Sequence, residues 1–76
     1  MSPFLPQVTA KDLIRVVKQV GFELDRQKGS HAVFYRPSDK ARVVIPIHTG
    51  RNIKQKTLRS ILDDMRITPE KFKELL

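Results

Sequence analysis

Cysteine and tryptophan are absent from this 76-residue sequence, and glycine occurs only three times. Without cysteine there can be no disulfide and no thiolate metal site, which suits a reducing compartment. The glycines at 21, 29 and 50 are too scattered to build a phosphate-cradling loop. No apolar run approaches the roughly 18 residues of a membrane span. The opening Met-Ser-Pro-Phe-Leu-Pro has neither the basic stretch nor the apolar core of a secretory signal. Together these absences predict one soluble cytoplasmic domain, spanning residues 1–76.

Acidic residues are the other scarcity: eight against fifteen Lys and Arg, a net charge of +7. The excess is concentrated. Residues 26–59 hold nine cations (Arg26, Lys28, Arg36, Lys40, Arg42, Arg51, Lys54, Lys56 and Arg59) and one acid, Asp39, for +8. The remainder holds six basic and seven acidic residues, for −1. A positive segment of this kind points to a polyanionic partner, nucleic acid first.

Hydrophobic periodicity gives the layout. Residues 1–8 form an irregular arm, with Pro3 and Pro6 blocking regular structure. Thr9 is an N-cap with Asp12 three positions on, and Leu13, Ile14, Val16, Val17 and Val20 make a helical stripe closed by Gly21. Phe22 and Leu24 alternate with Glu23 and Asp25, which predicts a strand with one apolar face. A turn at Gln27–Ser30 leads to a strand at His31–Arg36, and a turn at Pro37–Lys40 leads to a third at Arg42–Ile47. Pro46 belongs at an edge or a strand end. Thr57, Leu58, Ile61, Leu62 and Met65 share a face of a second helix that begins near Lys54–Lys56. Thr68-Pro69 opens a last short helix that buries Phe72 and either Leu75 or Leu76. The expectation is an α+β fold: α-β-β-β-α with a three-stranded antiparallel sheet, helices on one face, and a short C-terminal helix.

Strand parity bears on chemistry. If Ala32 and Phe34 pack under the helices, His31, Val33 and Tyr35 share the open face. Histidine is the side chain whose ordinary pKa, about 6.5, suits proton transfer near neutral pH. His31 follows the Gly29-Ser30 turn within the basic segment, where a phosphate backbone would lie. Position alone does not separate an acid/base group from an idle hairpin residue. His48 precedes the loop Thr49-Gly50-Arg51-Asn52 and is a second candidate, for phosphate contact or proton transfer. A helix start near Lys54 would add free N–H groups for a phosphate. The nearest carboxylates, Asp25 and Asp39, have no metal-ligand spacing, so no metal or other cofactor is expected.

Three blocks then match a known family in order and spacing. Gly21-Phe22-Glu23-Leu24-Asp25-Arg26-Gln27-Lys28-Gly29-Ser30-His31, Arg42-Val43-Val44-Ile45-Pro46-Ile47-His48 and Lys56-Thr57-Leu58-Arg59-Ser60-Ile61-Leu62 resemble the HicA (YcfA-like) toxin family. The resemblance runs from about Thr9 to Leu76. It implies a double-stranded-RNA-binding-domain-like fold and metal-independent endonuclease activity on mRNA. It also implies a HicB antitoxin that covers the active site, and promoter DNA reached only through that complex. By the family pattern His31 is the catalytic residue, Gly29 and Ser30 shape its turn, and His48 is a second matching position. The chain departs from the pattern in its arm, in the helix from Pro69, and in Lys56, where the family commonly has glycine.

The RNA-contact candidates are Arg26, Lys28, Gly29, Ser30, Tyr35, Lys54 and Lys56. Two other readings stay open: a non-catalytic module that reads the shape of double-stranded RNA, and a basic subunit that serves an acidic protein.

Overall fold

A computed structural model of the chain describes residues 5–76. The elements are α1 (Ala10–Gln19), β1 (Glu23–Lys28), β2 (His31–Arg36), β3 (Ala41–Pro46), α2 (Gln55–Met65) and α3 (Pro69–Leu75). The strands form one antiparallel sheet in the order β1-β2-β3. Both edges are therefore β1 and β3, which is where Pro46 can end a strand without breaking an internal ladder.

Local chemistry explains the element ends. Thr9 and Asp12 form a reciprocal capping box: the Asp12 N–H donates to Thr9 Oγ1 (3.3 Å) and the Thr9 N–H donates to Asp12 Oδ2 (3.2 Å). Gly21 sits at φ +95° past the end of α1, and the Phe22 N–H reaches back to the Val17 carbonyl. The Gly21 N–H bonds Lys18, completing a Schellman motif. α2 ends by the same geometry, with Arg66 in the left-handed position and Ile67 donating to Leu62. Thr68 caps α3 by accepting from the Lys71 N–H at 3.1 Å.

One core lies between the helices and one face of the sheet. Leu13, Val16 and Val17 of α1, Leu58, Ile61, Leu62 and Met65 of α2, and Phe72 of α3 meet Ala32, Phe34, Val43 and Ile45 there. Phe72 is fully buried, Leu75 packs at the margin, and Leu76 is left 39% exposed. The molecule measures 34 × 29 × 17 Å, the thin direction being one sheet plus one helical layer.

Two expectations need correction. Leu24 does not share the buried environment of Phe22: it is 53% exposed against 2%. Its cross-strand partner is the buried Phe34, but α1 and α2 pack against β3, at the opposite edge, and leave the outer strand bare. The described part of the arm, residues 5–8, is irregular as expected, but it is tied to the core. Ser2 and Pro3 lie outside the described residues, yet Leu5 and Val8 are buried, and the Leu5 N–H donates to Gln55 Oε1 at 2.9 Å. The first turn is tighter than expected, because Gln27 and Lys28 remain in β1 and only Gly29 and Ser30 form the loop.

Arg36 fastens the second turn to the helices. Its guanidinium grips Asp39 with two bonds (Nε to Oδ1 2.9 Å, Nη2 to Oδ2 2.8 Å). It also donates to the carbonyls of Val20 (3.2 Å) and Met65 (3.0 Å), and lies 4.5 Å from the Phe22 ring centre. One side chain thus satisfies carbonyls at the ends of both α1 and α2. Its hydrogen bonds lower the Asp39 pKa to about 2, against the opposing effect of desolvation.

Candidate nucleic-acid interface

Register decides which side chains meet on the uncovered face, since residues directly opposite each other in a sheet share a face. The first rung is Lys28–His31–Pro46, the second Arg26–Val33–Val44, and the third Glu23–Tyr35–Arg42. The alternate rungs, Gln27–Ala32–Ile45 and Leu24–Phe34–Val43, belong to the helix side. Parity along β2 is as expected: Ala32 and Phe34 are buried, His31 is exposed, and Val33 and Tyr35 are half-buried.

The hairpin places His31. Gly29 has φ +60° at the first position of a two-residue loop, a conformation that only glycine adopts without cost. The Gln27 amide donates to the Gly29 carbonyl at 3.3 Å, and the Ile47 N–H donates to the Ser30 carbonyl at 2.6 Å. These bonds tie the loop to β1 and to the end of β3. Lys28 stands directly opposite His31, and the next cation, Arg26, is one rung away. Neither forms an ion pair among the described residues.

At the other end of the face Tyr35 lies under Arg42, whose guanidinium is 4.8 Å from the ring centre. Arg42 also bonds Asp25 Oδ2 at 2.9 Å. Asp25 lies in the register shift between Leu24 and Arg26, an extra residue that a plain reading of alternation would miss. Arg42 was legible only as one more basic residue in the segment. Extending β2's parity to β3, where Ala41, Val43 and Ile45 are buried, would have put it beside Tyr35.

The remaining candidates lie beyond β3. His48 and Lys54 line one depression of about 320 Å³, together with Pro46, Arg51 and Thr57. Lys56 lines another, of about 370 Å³, with Arg42, Val44, Ser60 and Asp64. The two depressions adjoin at Thr57, which lines both, and neither Lys54 nor Lys56 shares a rung with His31. Lys54 is the N-cap of α2, makes no side-chain cap bond, and has no acid in the turn that follows it. Among the described residues no group of three or more acidic or histidine side chains could hold a metal ion. None of the helices there is long and apolar enough to cross a membrane.

Fold and surface define a class: a small basic α+β domain with one helix-covered sheet face and one open face, whose turn displays a histidine among cations. A family model described as the HicA toxin of bacterial toxin–antitoxin systems matches residues 10–67. The chain belongs to the HicA toxin family, and is thus a toxin of a toxin–antitoxin pair whose partner is a HicB-type antitoxin. The match takes in α1 through α2 and every candidate residue of the interface. No curated protein matches the chain.

Proposed function

We propose that this toxin is an endoribonuclease of messenger RNA, active in the cytoplasm, with His31 as its acid/base group. The observation that carries this reading is the Lys28–His31 pair on the open face. A proton-transfer group stands exposed, one strand's width from an uncommitted cation.

The chemistry follows from RNA itself. The ribose 2′-oxygen attacks the adjacent phosphorus as its proton leaves, and the bond to the 5′-oxygen of the next nucleotide breaks. A 2′,3′-cyclic phosphate and a free 5′-hydroxyl result. His31 serves by accepting the 2′-hydroxyl proton or by donating one to the departing 5′-oxygen, at a contribution of about 10²–10⁴-fold. Lys28 and Arg26 offset the charge that builds on the phosphate oxygens. Tyr35, Gly29, Ser30, Lys54 and Lys56 supply further contact along the strand. No step calls for a metal ion.

The antitoxin would close this same face. Val33 and Val44 form an apolar rung bordered by Arg26, and Tyr35 adds an aromatic anchor. An acidic partner seated there would cover His31, and any binding to promoter DNA would be the complex's.

The test is incubation of the purified chain with RNA in EDTA beside His31→Ala. Wild type should yield cyclic-phosphate ends, and a folded His31→Ala protein should yield none. Cleavage by that variant would remove His31 from the mechanism. Binding without cleavage by the parent chain would leave a non-catalytic RNA-binding module.

A further inference from the structure

We propose that the depression between β3 and α2 is a second phosphate subsite for a single RNA strand, holding the phosphate next to the one at His31. Arg51 and Lys54 are its cations, His48 adds a ring N–H, and Thr57 offers a hydroxyl. The inference rests on the ribonuclease reading for its substrate.

The composition of the wall selects an anion. His48, Arg51 and Lys54 line it, and no acid does. The depression beside it contains Asp64, and a third, on the outside of α1, contains Asp12. The cations are also uncommitted. Arg36, Arg42 and Arg66 are each held by a carboxylate, whereas Arg51 and Lys54 have no ion pair among the described residues. An arginine fork matches phosphate geometry, and a lysine supplies a point charge beside it.

The wall is already in place. The Arg51 N–H donates to the His48 carbonyl at 3.0 Å, which closes the turn between them. The Ile53 N–H donates to the Val8 carbonyl at 2.7 Å, Asn52 bridges to Thr9, and the Asn52 amide donates to Gln7 Oε1 at 3.0 Å. Ile53 is buried in the core. A loop fixed at these points loses little further freedom when it binds a ligand.

Position sets which phosphate it takes. Pro46 lines the depression and is also the cross-strand partner of His31. The subsite thus opens one strand away from the reacting group, on the flank beyond β3. Contacts to a non-reacting phosphate are the same before and during bond breaking, so they govern KM rather than kcat.

The experiment uses a short single-stranded RNA and the full chain carrying His31→Ala, so that binding is read without cleavage. Arg51→Gln with Lys54→Gln should lower the log–log salt slope of binding by about 0.7, one phosphate's share for a single strand. Lys11→Gln with Arg15→Gln, an equal charge loss on the outside of α1, should leave the slope unchanged. Replacing backbone linkages one at a time with uncharged methylphosphonates should reveal one linkage, besides the scissile one, whose effect disappears in the Arg51/Lys54 variant. In the active chain that variant and His48→Gln should raise KM several-fold with kcat and the pH profile retained. An unchanged slope, an equal drop in the α1 control, or a kcat loss in His48→Gln matching that of His31→Ala would each overturn the subsite. If the parent chain cuts no RNA but slope and linkage behave as stated, the subsite stands and the ribonuclease reading falls.

Discussion

At the scale of single residues, Gly29 does one thing that no other side chain does as cheaply. Its φ of +60° lets two residues join β1 to β2, which puts Lys28 and His31 face to face. A Cβ added there would meet no atom within 4 Å, so the cost of Gly29→Ala comes from backbone conformation and not from a clash. That cost is about 1–2 kcal/mol. Urea denaturation should show the loss for Gly29→Ala and a smaller one for Gly29→Asn, because asparagine tolerates the left-handed region better. Equal losses would mean that the glycine matters for some reason other than φ.

At the scale of elements, two supports of the fold can be tested separately. The first is the Arg36–Asp39 clamp, which holds the β2–β3 turn to the ends of α1 and α2. Asp39 titrates near 2 in the fold, below its ordinary 3.8, because Arg36 hydrogen-bonds its charged form. A lowered carboxyl pKa stabilises the fold at pH above the ordinary value, and that contribution drains away as pH falls through the folded one. Stability should therefore decline between about pH 4 and pH 2, beyond the general acid loss. Asp39→Asn should be weaker than wild type at pH 7 but decline less over that interval. Parallel curves for the two proteins would show that the clamp contributes nothing.

The second support is α3, which lies past the residues matched by the family model, although Phe72 within it is fully buried. Phe72→Ala should cost about 3–5 kcal/mol. Against the roughly 4–11 kcal/mol expected of 76 residues, that is a large share of the whole. Thermal unfolding should place the variant far below the parent. A small shift would mean that α3 is an appendage and the core closes without it.

The whole molecule is a slab with one wet face, and its charge is less free than its composition suggests. Arg36 and Arg42 belong to the +8 segment but are bound to Asp39 and Asp25, the second of which the chain supplies from outside that segment. Of the rest, Arg26, Lys28, Lys40, Arg51, Lys54 and Lys56 form no ion pair among the described residues and stay available to a partner. Co-expression with the neighbouring reading frame of its operon should yield a complex in which His31 is protected and RNA cleavage is suppressed. Charge complementarity of this kind acts mainly on the rate of encounter, so added salt should slow association more than it speeds dissociation. A complex that cuts RNA as fast as the free chain would place the antitoxin elsewhere.

The sequence by itself determined the order of elements, the caps at Thr9, Gly21 and Thr68, and most of the core. A Thr-x-x-Asp start, a glycine past a helical stripe and alternation along His31–Arg36 are local patterns with local causes. It also determined that His31 faces away from the helices, once Ala32 and Phe34 were taken as core. Tertiary structure decided what depends on neighbours distant in the chain. Leu24 is exposed because the helices cover the far edge of the sheet, and no pattern within β1 records that. Asp25 reaches Arg42 because a bulge turns it, and Arg36 is consumed by carbonyls 16 and 29 residues away. The depression that gathers His48, Arg51 and Lys54 exists because a backbone bond from Ile53 draws their loop against Val8. Periodicity reports which way a side chain points; what it meets there is set by packing between elements.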